Sequence, residues 1–196
     1  MTDGTERRSR QPAIGPAPGR LEHVRAFVNT LDIEAGTDEL SSPGALTLWL
    51  RARGLIAPQQ GEATNDDVRQ AIAMREGLRA VLLGHVGGRQ PAAVPVSDLR
   101  AVAAGLATRL EIGDDGTVQP VPDGRAGAAG LAALLLIAAE AATIGTWPRL
   151  KICSADDCRW AFYDRSPTKS GCWCSMAGCG SRAKSRAYRQ RAAARR

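Results

Sequence analysis

The stretch CWCSMAGCGSRAKSRAYRQRAAARR, residues 172–196, combines three cysteines with a run of basic residues. The cysteines are Cys172, Cys174 and Cys179, and no acidic residue follows them. Clustered cysteines indicate a metal site, a redox centre or a disulfide, and the choice among these decides the fold of this part of the chain. Whichever centre forms, it lies directly before the basic residues and fixes where they begin.

The five cysteines of the chain form two equally spaced pairs and one extra thiol. Four residues separate Cys153 from Cys158 and Cys174 from Cys179, and fifteen residues lie between the two pairs. Two short-spaced pairs joined by an insert are typical of a tetrahedral zinc site with four cysteine ligands. Cys172 is separated from Cys174 by one residue, so both could reach one metal only with distortion, and we predict that Cys172 is a free thiol.

Sequence context favours a structural metal over the other two centres. Residues 1–20 carry no apolar segment typical of an export signal, so we expect a reducing cytoplasm, where clustered cysteines bind metal more often than they form disulfides. The thioredoxin-like alternative needs a Cys-x-x-Cys pair, which the sequence lacks. Four thiolates leave no open coordination position, so the expected zinc ion is single and structural. Without a Ser/His/Asp set, a phosphate loop or paired carboxylates, we expect no enzyme.

Charge is distributed unevenly along the chain. Residues 165–196 contain nine of the 26 basic residues and none of the 20 acidic ones, which leaves 17 basic against 20 acidic residues before them. A basic end on a mildly acidic body indicates a polyanionic partner, most often nucleic acid. A tail that only adds solubility is the alternative.

The basic residues after the last cysteine are spaced for a helix. Arg182, Arg186 and Arg189 fall on one face, and Lys184 and Arg191 fall on another. A helix whose start is fixed by a metal could lie against phosphates or enter a major groove. These five residues are therefore the predicted DNA contacts, and Arg182 and Arg186, nearest the metal, are the candidates for base contacts.

The preceding residues predict a helical body. Apolar residues recur at helical spacing in four stretches, which start near Leu21 and after the candidate caps Ser42, Thr64 or Asn65, and Ser97. Residues 129–147 are apolar almost all round, but Glu140 interrupts them, so a central buried helix is favoured over a membrane span. The sequence RLEIGDDGTVQPVP, residues 109–122, predicts the body's single hairpin.

The expected fold is mainly α, an orthogonal helical bundle with one short β-hairpin, plus a small C-terminal four-cysteine zinc finger. Three segments are predicted: a disordered leader over residues 1–20, a helical domain over residues 21–147, and a finger over residues 148–196. The finger should consist of a hairpin followed by the basic helix. Phe162 and its aromatic neighbours predict one strand of that hairpin, which would turn back at residues 166–168. So small a module needs metal to fold.

Two segments of the finger resemble the CGNR-type zinc-finger proteins, a bacterial family. They are RLKICSADDCRWAFYDRS, which starts at Arg149, and WCSMAGCGSRAKSRAYRQR, which starts at Trp173. In that family the finger follows a helical domain called ABATE, and AFVNTLDIEAGTDELSSPGALTLWLRARGLI, which starts at Ala26, resembles its beginning. One departure is Ser181, which stands where the family name carries Asn.

The resemblance implies a stress-induced transcription regulator with zinc ligands Cys153, Cys158, Cys174 and Cys179. We therefore expect a zinc-dependent DNA-binding regulator in the cytoplasm, associated with the nucleoid and without a membrane partner. Its body would form a homodimer or sense an effector, either a small molecule or a redox signal. Two alternatives stay open: an adaptor whose structural finger and basic tail bind an acidic protein, and an RNA-binding protein.

Overall fold

The structure is a computed structural model that describes residues 14–87, 90 and 92–193. Within these ranges the chain forms six α-helices and seven short β-strands, so it is mainly α, as predicted. The helices are α1 (Leu21–Val28), α2 (Pro43–Ala52), α3 (Asn65–Gly84), α4 (Ala93–Gly105), α5 (Ala126–Thr143) and α6 (Ser181–Ala193). The strands are β1 (Ile14–Gly15), β2 (Leu31–Asp32), β3 (Thr37–Asp38), β4 (Thr108–Ile112), β5 (Val118–Pro122), β6 (Leu150–Ile152) and β7 (Ala161–Asp164).

Side-chain caps set the starts of α2 and α3 at the predicted residues. The hydroxyl of Ser42 accepts a hydrogen bond from the Ala45 N–H at 3.2 Å. The hydroxyl of Thr64 accepts from the Asp67 N–H at 3.2 Å, while the Asp67 carboxylate accepts from the Thr64 N–H at 2.7 Å. These bonds satisfy backbone donors that a helix start otherwise leaves without partners. Local sequence chemistry therefore decides where both helices begin.

The start predicted for α4 is wrong by five residues. The helix begins at Ala93 rather than after Ser97. Pro95 then lies in the first turn, where the N–H that proline lacks would have had no helical partner in any case.

The central helix of the body is α5. It packs against α1, α2 and α3, and Leu131, Leu134 and Ile137 are among its buried residues. By length and composition α5 could cross a membrane, but 61% of its most apolar window is buried inside the structure. This burial is what a core helix requires, and it confirms the prediction of a central buried helix.

Two small antiparallel ladders lie in the body. The predicted hairpin is confirmed and is formed by β4 and β5. Strands β2 and β3 form a second ladder of two residue pairs, so the prediction of a single hairpin in the body is incomplete. This second ladder is stabilised by Arg75 of α3, which is 2% exposed and donates to the two carboxylate oxygens of Asp38 at 2.7 and 2.8 Å. Such bidentate pairs combine charge with fixed geometry.

A three-stranded antiparallel sheet of order β1-β7-β6 combines a strand that precedes the body with two that follow it. The predicted strand around Phe162 exists as β7, but its partner is β6, which precedes the first cysteine. The hairpin predicted to turn at residues 166–168 is therefore wrong. The reason is burial: Leu150 and Ile152 of β6 each bring an apolar side chain to the core, whereas residues 165–171 offer none.

The disordered leader predicted over residues 1–20 is too long. Residues 1–13 lie outside the described residues, but β1 pairs with β7 opposite Tyr163 and Asp164. Ala17 is 6% exposed, and its N–H donates to the Glu22 carboxylate at 2.7 Å. Residues 14–20 are therefore part of the folded unit, held by backbone pairing at one end and by α1 at the other.

One apolar core extends across the predicted boundary between residues 147 and 148. Leu150 and Ile152 of β6 and Ala161 and Tyr163 of β7 belong to the same cluster of buried side chains as α1, α2, α3 and α5. The first three of these residues have no exposed surface. The hairpin β6–β7 is thus built into the helical body.

A buried asparagine after α1 binds the central strand of this sheet. Asn29 is 7% exposed, and its Oδ1 accepts from the Ala161 N–H at 2.7 Å. Its Nδ2 donates to the Ala161 carbonyl oxygen at 3.0 Å. One side-chain amide therefore satisfies both backbone groups of a strand residue, as a neighbouring strand would. We call this pair of hydrogen bonds the Asn29 clasp.

Replacing Asn29 by Ala should lower the free energy of unfolding by about 1–3 kcal/mol, since the buried Ala161 N–H would lose its partner. The Ala161 carbonyl oxygen would keep a longer hydrogen bond from Arg25 Nη1, at 3.4 Å. Asn65→Ala, at an exposed position at the start of α3, is the matched control and should change stability by less than about 0.5 kcal/mol. Denaturant titration measures both variants. Equal effects of the two substitutions would contradict the role of the clasp.

A second contact joins the end of α3 to β6. Nδ1 of His85 lies 2.8 Å from the carbonyl oxygen of Leu150, and the imidazole packs edge-on against Trp147 with 5.7 Å between ring centres. Burial lowers the pKa of His85, and the hydrogen bond to Leu150 only partly opposes this effect. The folded state therefore favours the neutral ring with its proton on Nδ1.

The pKa of His85 makes stability depend on pH. Between about pH 7.5 and 5.5 the unfolded chain, whose histidine pKa is near 6.5, takes up a proton that the folded chain resists, so stability should fall as the pH falls. His85→Asn retains an N–H donor for Leu150 and does not titrate. Its free energy of unfolding should therefore fall less over the same interval. Denaturant titrations at both pH values test this, and parallel losses in the two proteins would contradict it.

Candidate metal centre

Four cysteines from two loops converge beside the β6–β7 hairpin. The Sγ atoms of Cys153, Cys158, Cys174 and Cys179 all lie within 4.8 Å of one another. The Sγ of Cys174 is 3.6 Å from that of Cys158 and 3.8 Å from that of Cys179. Thiolates at about 2.3 Å from a tetrahedral zinc ion lie about 3.8 Å from one another. The cluster therefore has the dimensions of a four-thiolate zinc site and can hold one structural zinc ion.

A tight turn between β6 and β7 presents the first cysteine pair. Cys153 directly follows β6, and its N–H donates to the Trp160 carbonyl oxygen at 2.9 Å, which closes the loop. The Cys158 N–H donates to the Ala155 carbonyl oxygen at 3.1 Å. Arg159 has a φ of 52°, in the left-handed region, and this turns the chain back towards β7. Both thiols thus face the same side of the hairpin.

The second pair is presented by a short π-helical turn. The turn spans Met176–Gly180 and contains Cys179, which is buried. At its start the Ser175 hydroxyl accepts from the Gly178 N–H at 3.1 Å. Helix α6 begins at the next residue, Ser181, whose hydroxyl donates to the Met176 carbonyl oxygen at 3.1 Å. A metal bound to Cys179 would therefore fix the start of the basic helix.

Cys172 is not among the clustered thiols. Its carbonyl oxygen accepts from the Ser154 N–H at 2.9 Å, so the two cysteine loops are joined by backbone there. Its side chain lines a separate hollow together with Trp173 and Met176. Cys172 therefore contributes to the site through its backbone.

As free thiols, the clustered cysteines differ in acidity. A hydrogen bond from Cys174 lowers the pKa of Cys153 to about 5. Burial raises the pKa of Cys158 to about 11, and the hydrogen bond to Cys153 raises the pKa of Cys174. A metal must displace the protons of the thiols with raised pKa values, so metal affinity should increase with pH.

Arg182 connects the cysteine cluster to the helical body. Its Nη2 lies 3.1 Å from the Sγ of Cys179, and its Nη1 donates to Glu34 Oε1 at 2.8 Å. The hydrogen bond to Glu34 raises the pKa of Arg182. Four thiolates carry more negative charge than one Zn²⁺ neutralises, so a guanidinium beside Cys179 offsets part of the excess. The metal centre is thereby linked to the turn between β2 and β3.

Two contacts make this link, and a local sequence pattern relates the residues of only one of them. Glu34 lies 148 residues from Arg182 along the chain, and no local pattern relates them. The short contact between Arg182 and Cys179 had a signal, because residues three positions apart lie on the same side of a helical turn. We predicted neither contact, nor that of Asn29 with Ala161, which spans 132 residues.

A cationic groove runs along α6. Arg182, Arg186 and Arg189 line it together with the hydroxyl-bearing Ser181 and Ser185, and its volume is about 420 Å³. The helical spacing predicted for these three arginines thus brings them together. Lys184 and Arg191 are exposed on α6 and are not part of this lining.

Acidic residues from outside the tail approach two of these arginines. Arg182 pairs with Glu34, and Arg186 Nη1 lies 3.8 Å from Asp157 Oδ2. The tail's lack of acidic residues therefore does not leave its cations without partners. In both pairs the side chains are between 40% and 57% exposed, so water screens the attraction and a phosphate can compete for the arginines.

Two family models match the chain. One, described as "CGNR zinc finger", matches residues 149–192. The other, the ABATE model, described as "Putative stress-induced transcription regulator", matches residues 23–147. Both confirm the resemblance seen in the sequence, and both describe regulator or zinc-finger types rather than enzymes. No curated protein matches the chain.

The purified protein should contain one zinc ion per chain. Cys174→Ser should lose the ion, because a structural zinc site uses four protein ligands. Cys172→Ser is the matched control and should retain a full equivalent of zinc. Metal analysis after desalting distinguishes the two variants. A folded wild-type protein without zinc, or equal zinc loss from both variants, would contradict this assignment.

Proposed function

Since the chain belongs to the ABATE family of stress-induced transcription regulators and carries a CGNR zinc finger, we propose that it regulates transcription by binding duplex DNA through α6. The observation that carries this proposal is the cationic groove on a helix that begins at the metal centre. The proposal assigns one zinc ion to Cys153, Cys158, Cys174 and Cys179. It places the protein in the cytoplasm, at the nucleoid, and gives it no catalytic role.

The shape of α6 supports entry into a major groove. The helix has 13 residues and none of them is buried, although Arg182, Ala183 and Ala187 are half-buried. Most of its surface is therefore accessible. A helix with its side chains is about 10–12 Å across, and the major groove of B-DNA is about 12 Å wide. Arginines on two sides of such a helix can reach the phosphates of both groove walls.

The contacts of the arginines suggest different roles along α6. Arg182 is held by Glu34 and by the Sγ of Cys179, so we assign it to positioning the helix. Within the described residues, Arg186 has a long, exposed pair with Asp157, which phosphate or a guanine edge can replace. We therefore propose Arg186 as the base contact, and Lys184, Arg189 and Arg191 as phosphate contacts.

A bound metal would reduce the conformational entropy that α6 loses when it binds DNA. A mobile basic tail loses conformational entropy when it settles on DNA, whereas a helix whose start is already fixed loses less. Zinc would therefore raise DNA affinity without contacting DNA itself. The cluster's position before the first turn of α6 supports this role.

The proposed phosphate contacts predict the salt dependence of DNA binding. The three neutralised phosphates should give a log–log salt slope of about −2.7, and Arg189→Ala should flatten it by about 0.9 while weakening all sequences alike. Arg69→Ala on α3 is the matched control, because Arg69 is exposed and lies outside the tail. Titration of labelled duplexes at several salt concentrations measures the slopes.

The same titration separates the proposal from its competitors. Zinc-loaded protein that shows no salt-dependent duplex binding would contradict DNA recognition and favour the adaptor with an acidic protein partner. Stronger binding to single-stranded RNA than to any duplex would favour the RNA-binding alternative. Arg186→Ala should cost about 1–3 kcal/mol on the preferred sequence and less on others.

A further inference from the structure

The β4–β5 hairpin presents an uncovered apolar face. All five residues of β4 are exposed, and Leu110, Ile112 and Val118 are exposed by 71%, 73% and 61%. Ile112 lies opposite Val118 and Leu110 lies opposite Pro120, so these four side chains share one face. Soluble proteins normally cover or interrupt a strand edge of this kind, because it can pair with another chain.

The hydrogen-bond pattern shows which backbone groups of β4 are unpaired. At the two ends of the hairpin the Gly113 N–H donates to the Thr117 carbonyl oxygen at 2.8 Å, and the Asp123 N–H donates to that of Ala107 at 3.0 Å. Hydrogen-bonded positions alternate along an antiparallel ladder, so odd-numbered residues of β4 bond to β5. The N–H and carbonyl groups of the even-numbered residues therefore point away from β5.

These outward positions are 108, 110 and 112, and in the described part of the chain β4 pairs with β5 alone. The opposite edge of the hairpin is different. Pro120 and Pro122 of β5 lie opposite Leu110 and Thr108, so they also occupy outward positions, but neither has an N–H to donate. The hairpin thus has one edge that can extend a sheet, and that edge is β4.

The side chains of β4 are self-complementary about Leu110. When two copies of the sequence TRLEI pair antiparallel with Leu110 opposite itself, Arg109 of each copy lies opposite Glu111 of the other. The same register makes residues 108, 110 and 112 the hydrogen-bonded positions, which are the ones whose backbone groups are free. Within one chain, Arg109 Nη1 and Glu111 Oε1 are 4.0 Å apart and the side chains are about half exposed, so both charges remain available.

We propose that β4 is a dimer interface, in which two copies of this chain pair antiparallel about a two-fold axis through Leu110. The result is a four-stranded sheet of order β5-β4-β4-β5 with one continuous apolar face. The partner is a second copy of the chain because β4 itself carries both of the charges that an ion pair needs and the outward N–H and carbonyl groups that the hydrogen bonds need. A two-fold interface requires such a self-complementary surface. This inference is independent of DNA binding, since β4 and α6 lie in different parts of the chain.

Sedimentation velocity on the zinc-loaded full chain tests the pairing. Over about 1–100 µM the wild type should approach twice the chain mass of 20.7 kDa. Glu111→Arg replaces attraction by repulsion at both symmetric positions, so it should weaken the dimer about tenfold. The double variant Arg109→Glu, Glu111→Arg reverses both charges and should restore the wild-type dissociation constant to within about threefold.

A backbone variant and its control complete the test. Leu110→Pro removes an N–H that points away from β5, so the hairpin should persist while the dimer is lost. Leu48→Ser changes a residue that is 68% exposed on α2 and should leave the dimer unchanged. A wild type that stays monomeric, a dimer insensitive to Glu111→Arg, or a double variant that fails to restore association would each overturn the proposal. If Leu110→Pro fails to fold, Glu111→Arg and the double charge variant still test the proposal.

Discussion

Burial of the β6–β7 hairpin in the helical core is the constraint on which the rest of the molecule depends. Leu150, Ile152 and Ala161 are completely buried there, and the Asn29 clasp satisfies the backbone of Ala161 at the point where β1 has ended. The first cysteine loop is the distal part of a hairpin that the body already holds, and the second cysteine loop follows β7 along the chain. Metal binding therefore has to order only short segments, because the body already holds the hairpin that carries the first cysteine pair.

Two connections fix the position of α6 relative to the helical body. One runs from the core along β6 and β7 to the cysteines and then through the π-helical turn into α6. The other is Arg182, which contacts Cys179 on one side and Glu34 on the other. A rearrangement of α1 must move β7, because the clasp joins them directly. If an effector binds the body, these connections would be its physical route to the proposed DNA-binding helix. Two paired copies of β4 would present two such helices related by symmetry.

Sequence reasoning succeeded where the determining interactions are local. Ser42 and Thr64 each cap a helix by bonding to a residue three positions ahead. The equal spacing of the two cysteine pairs likewise indicates two short loops that can hold one metal ion. It failed where the partner is distant. The aromatic residues of β7 indicate a strand, but no local pattern shows that Leu150–Ile152, rather than residues after the turn, pairs with it. Asn29 and Glu34 look like ordinary polar residues until the fold brings each beside a group more than 130 residues away. The two-residue strands β2 and β3 are too short for alternation to appear.

Hydrogen exchange at β7 tests most directly whether the finger's hairpin belongs to the body's core. Amide exchange is followed in the zinc-loaded protein and again after the metal has been removed by a chelator. The amides of Ala161, Phe162 and Tyr163 should stay as protected as those of α5 in both states, while residues 172–180 and α6 lose protection without zinc. If β7 instead loses protection together with the cysteine loops while α5 does not, the hairpin folds with the metal, and the account of a shared core is contradicted.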